Sequence, residues 1–171
     1  MDERIVEFSI VTFLRQLRER VEEAHGIAEA ADACARVGRI ARGVEIANDV
    51  DELIHDAEQL LGMAAHLIRS AATGETAEAA SAAEAEPPET PITETLATET
   101  IRVFLAQARE RLHRTVGVAK AAEILAAAGK PQEAARFALD VEPLLYEARH
   151  FINTASLVNR LSANPGATGL S

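Results

Sequence analysis

The sequence predicts an all-α fold: two homologous helical hairpins forming a pseudo-symmetric four-helix bundle with a long crossover linker. Three observations predict it. Residues 10–69 align without a gap on residues 101–160, a shift of 91, and 20 of the 60 pairs are identical; self-similarity at a fixed offset is the mark of a repeat architecture. Within each repeat, apolar residues recur at steps of three and four, the period of a buried helix face. Between the repeats, 71–91 is rich in Ala, Glu and Pro and carries no such period, which reads as a linker.

The elements follow in order. Ile10, Leu14, Leu17, Val21, Ala24, Ala28, Ala31 and Ala35 form the first stripe, widened by Phe13, Ile27 and Cys34. Gly38 is its stop signal. A second stripe runs through Ala47, Val50, Ile54, Ala57, Leu61, Ala64 and Ile68. Asp49 with Glu52 three residues on reads as a capping box, and Asp140 before Pro143 as an N-cap with proline in the first turn. Each second helix is therefore expected either to break there, leaving a short helix of about eight residues, or to kink. The second repeat copies both stripes, and its stop, Gly129-Lys130-Pro131, is a helix end followed by a proline suited to a new first turn.

The expected organisation is a hairpin repeat over 1–70, an acidic linker over 71–91, a second hairpin repeat over 92–162 and a disordered tail over 163–171, with one shared core. A helix of 30 residues is about 45 Å long. A linker of 20–25 residues reaches about 70–80 Å when extended, enough to run from one end of a bundle to the other. A simple antiparallel neighbour needs only about 2–8 residues. Two hairpins packed head to tail, with a crossover, are therefore expected.

The net charge is −10, with no Trp and one Cys. It divides as −6 over 1–70, −5 over 71–91 and +1 over 92–171. That balance disfavours nucleic acid, whose binding rests on phosphate neutralisation, although Arg102, Arg109 and Arg114 leave room for a small basic patch. No apolar run reaches the 18–20 or so residues that span a bilayer, and the opening Met1-Asp2-Glu3-Arg4 lacks a basic signal region. A lone Cys34 excludes an internal disulfide and fits a reducing cytoplasm. On a helical face it reads as a small core residue.

Four Glu-x-x-His spacings occur: Glu22/His25, Glu52/His55, Glu110/His113 and Glu147/His150. They resemble the motif of ferritin-like bundles, where three residues of spacing put both ligands on one inward face. That resemblance implies a metal-binding bundle using Glu52, His55, Glu147 and His150. At about 100° per residue, however, Glu52 and His55 lie about 130° and 170° from the core centre of their helix, and Glu22 about 150° from that of the first helix. The repeats do not keep the set either: Glu52 and His55 align with Pro143 and Tyr146.

Ala65-His66-Leu67-Ile68-Arg69-Ser70-Ala71-Ala72 resembles the phospho-acceptor helix of histidine phosphotransfer domains. Those are four-helix bundles in which a cation three residues after an exposed His stabilises the phosphoryl group. The resemblance implies a phospho-acceptor His66 assisted by Arg69. It covers about eight residues, and Ser70 stands where the family has Gly.

Arg20 and Arg111, an identical pair, lie about 50° from the core centre. With the hairpin folded at Gly38, Arg20 faces position 57, so the pairs Arg20–Asp56 and Arg111–Glu147 are expected to set the hairpin register. No glycine-rich phosphate loop, Cys-x-x-Cys or Gly-x-Ser-x-Gly occurs, and no His belongs to an identical repeat pair. The function expected is a non-catalytic cytoplasmic interaction or scaffold module, bound to a protein partner or to itself, without cofactor.

Overall fold

The computed structural model describes residues 3–72 and 94–163, with side chains described for 8–66 and 94–163. The acidic linker and the tail lie outside the described residues, apart from their first few positions. Among the described residues every element is a helix. They are α1 (Glu3–Arg36), α2 (Ile40–Asn48), α3 (Val50–Ala72), α4 (Glu94–Ala127), α5 (Pro131–Ala138) and α6 (Val141–Ala163). α4, α5 and α6 begin 91 residues after α1, α2 and α3.

The two 34-residue helices α1 and α4 form the main seam. They run antiparallel, because Arg18 meets Glu123 while Arg109 meets Asp32. α3 packs on α1 and α6 on α4, and the short helices α2 and α5 fill the corners. Four long helices are thus packed together around one apolar cluster. All eight positions of the first sequence stripe are buried, from Ile10 to Ala35. So are the aligned residues Ile101, Leu105, Ala108, Leu112, Ala119, Ala122 and Ala126, with Thr115 in place of the alanine at 24. Thr115 is accommodated because its hydroxyl donates to the Arg111 carbonyl one turn back, at 2.8 Å.

Glycine ends both long helices in the same way. Gly38 (φ 83°) and Gly129 (φ 75°) take the left-handed conformation that only glycine adopts without strain. Arg39 N–H donates to the Cys34 carbonyl and Gly38 N–H to that of Ala35; Lys130 and Gly129 do the same to Leu125 and Ala126. These paired bonds satisfy the orphan carbonyls of a helix end.

The second helix of each hairpin is broken, but not by the expected caps. Asp49 is itself nearly helical (φ −67°, ψ −17°). The Asp49 N–H donates to Ile46 and the Glu142 N–H to Leu139, each at 3.2 Å. These i→i−3 bonds tighten one turn and redirect the chain. Among the described residues neither the Asp49 nor the Asp140 carboxylate accepts a hydrogen bond from the following turn, so the expected capping box is not formed. A short 3₁₀-type turn satisfies the backbone without side-chain help.

Candidate functional site

The α1–α4 seam carries the buried Asp32 and several ion pairs that join the two helices. Arg18 donates from Nε to Glu123 at 2.6 Å and from Nη1 to Glu22 at 2.7 Å. Lys120, also on α4, lies 3.0 Å from the other oxygen of Glu22. The hydrogen bond from Lys120, with the charge of Arg18, holds the Glu22 carboxyl below the ordinary carboxylate range against the cost of its desolvation. Toward the other end of the seam, Asp32 is 3% exposed and lies 3.3 Å from Arg109 and 3.2 Å from Arg36. Arg18 aligns with Arg109, and Asp32 with Glu123. The two ends of the seam therefore carry the same ion pair with donor and acceptor helices exchanged. Among the described residues no buried side-chain nitrogen or oxygen is left without a partner.

Near the middle of the same seam two imidazoles meet. The His25 and His113 ring centroids are 5.2 Å apart, inclined by 48°. The His25 side chain is 18% exposed, and its Nε2 lies 3.9 Å from Glu29. Desolvation holds its pKa below the usual histidine value, with the neighbouring His113 and Arg109 acting in the same sense and Glu29 and Glu110 opposing.

The expected site residues are placed as follows. Arg20 Nε lies 3.7 Å from Asp56, and Arg20 also holds Glu23 at 3.1 Å. Arg111 donates to Glu147 and covers the Phe151 ring, 5.9 Å from its centroid. The structure thus brings each of these two pairs together, on the flanks of α1–α3 and α4–α6. It does not bring together Glu52, His55, Glu147 and His150. Glu52 and His55 are exposed on α3, where His55 contacts Gln59 at 2.8 Å. Glu147 is occupied by Arg111, and His150 stands against Phe151. Among the described residues no three His, Cys, Asp or Glu side chains converge as metal ligands. His66 is exposed near the end of α3; the Arg69 side chain lies outside the described residues. Arg102 donates to the Ala35 carbonyl and pairs with Glu99, so it helps close the end of α1 and does not stand in an open basic patch.

Sequence reasoning missed the seam. A single core centre per helix leaves Glu22 about 150° away from it. But α1 packs against α3 on one side and α4 on the other, so a residue far from the shared core can still face a neighbour. One signal was available: Arg18/Arg109 is identical and Asp32/Glu123 keeps its sign. His25 and His113 left none, since they align with Val116 and Glu22.

No helix among the described residues is long and apolar enough to cross a membrane. Comparison with protein-family models, with curated proteins and with solved structures finds no match to this chain.

Proposed function

We propose that this chain is an internally duplicated, pseudo-symmetric bundle that works as a non-catalytic cytoplasmic interaction module, binding a protein partner or a second copy of itself. The duplication reading is supported by the 91-residue offset between helix starts, the matched glycine turns and the exchanged Arg–carboxylate pairs of the seam. A linker from the end of α3 to the start of α4 then acts as the crossover.

The observation that carries the interaction reading is a set of exposed apolar side chains on α4. Leu96, Val103 and Ile124 are 57%, 55% and 68% exposed and fall on one seven-residue spacing, which keeps residues on one helix face. The residues aligned with Val103 and Ile124 are Thr12 and Ala33, so the set belongs to one copy. Phe137, Leu139, Tyr146 and Leu161 add exposed apolar surface to the same half. Exposed apolar side chains that recur along a helix offer a surface for contact.

Sedimentation over a wide concentration range tests the reading with the chain alone. Association that weakens in a Val103→Glu/Ile124→Glu double variant with unchanged helix content is expected. A wild-type chain that remains monomeric throughout, with the double variant indistinguishable from it, removes self-association. A second reading, phosphotransfer at His66, rests on the exposure of that ring. Failure of the wild-type protein to take label from a phospho-donor, beside a His66→Gln control, eliminates it.

A further inference from the structure

We propose that His25 and His113 form a binding site for a divalent first-row transition-metal ion, of the Zn²⁺ or Cu²⁺ class, between α1 and α4. The argument begins with distance. An imidazole nitrogen binds such an ion at about 2.0–2.1 Å, which puts the ring centroid about 3.2 Å from the metal. Two imidazoles at a tetrahedral angle then have centroids about 5.2 Å apart. The observed separation is 5.2 Å. The rings come from two different helices of the main seam, whose packing fixes their Cα positions. The exposed His113 ring is free to turn its nitrogen toward the shared point.

The surroundings suit a cation. Glu29 lies 3.9 Å from His25, and Glu110 also acts on that ring. Arg109, which also acts on the His25 ring, has its charge opposed by Asp32 at 3.3 Å. Two protein ligands leave the remaining positions to water, the arrangement of an open site and not of a closed structural one. Imidazole donors favour Cu²⁺ and Zn²⁺ over the earlier divalent ions of the row. The site occurs once, because the aligned residues Val116 and Glu22 cannot form it.

The test uses the full chain with Zn²⁺ or Cu²⁺ alone. Titration calorimetry should find one ion per chain, and Cu²⁺ should show a paramagnetic-resonance spectrum with two nitrogen ligands. His113→Gln alters an exposed side chain and should leave folding intact while weakening binding about tenfold or more; His25→Gln should do the same. His55→Gln should leave binding unchanged. No binding by the wild-type chain, binding retained in His113→Gln, or binding lost in His55→Gln overturns the proposal.

Discussion

Gly43 on α2 and Ala134 on α5 hold aligned positions, yet only one of them carries a side chain. A Cβ on Gly43 would lie 2.8 Å from the Ala31 carbonyl oxygen and 3.3 Å from the Ala35 nitrogen, both of the α1 backbone. Ala134 carries that methyl and is fully buried. At Gly43, α2 therefore rests against the backbone of α1, while at the aligned position of α5 a buried methyl stands. The two halves share the path of the chain, but at this position only the first leaves no room for a methyl.

The largest effect expected is from Gly43→Ala. Its clash is with backbone, which cannot rotate away, so a loss of about 1–3 kcal/mol is expected, although alanine is the better helix former. Chemical denaturation measures it. A gain in stability would show that the α1–α2 spacing yields, and would erase the contrast with α5.

Asp32→Ala should follow, at about 1–2 kcal/mol, because Arg36 and Arg109 lose a charged acceptor. Glu123→Ala, at the aligned and more exposed end of the seam, should cost less. Equal losses would mean that burial of Asp32 contributes nothing to the difference.

A smaller contrast is expected between Arg111→Ala and Arg20→Ala, each up to about 1 kcal/mol. Arg111 should cost more, since it is less exposed (24% against 47%) and also covers Phe151, where α3 has Leu60. Thermal midpoints of both variants decide it.

The smallest effect is that of pH. Desolvation holds the folded His25 pKa below the ordinary histidine value of about 6.5, so the folded state favours the neutral ring. The unfolded chain binds the proton first, and stability present above about pH 6.5 is lost as the pH falls below it. Ordinary carboxylates titrate lower, so the window is separable. The midpoint of the wild-type protein should drop from pH 7.5 to 5.5 by more than that of His25→Gln. Parallel slopes would show that His25 does not drive it.

The helices were legible because their signals are local. Each buried stripe, each glycine stop and each break near Asp49 and Asp140 is written within one or two turns of chain. Even there the mechanism differed: the spacing Asp49–Glu52 offered a cap, and the backbone closed the turn by itself. The α1–α3 flank was within reach of the same reasoning, since a turn at Gly38 places Arg20 across from Asp56.

By itself the sequence determined the apolar stripes of each half, the residues that face the core and the points at which the chain turns. These depend on period, glycine conformation and proline, all properties of short stretches. Only the tertiary structure decided that α1 lies antiparallel to α4. That pairing sets Asp32 against Arg109 and Glu22 against Lys120, and brings His25 to His113. Those meetings join residues far apart in the chain, and no local pattern encodes the angle at which two amphipathic helices settle when each has more than one neighbour to satisfy.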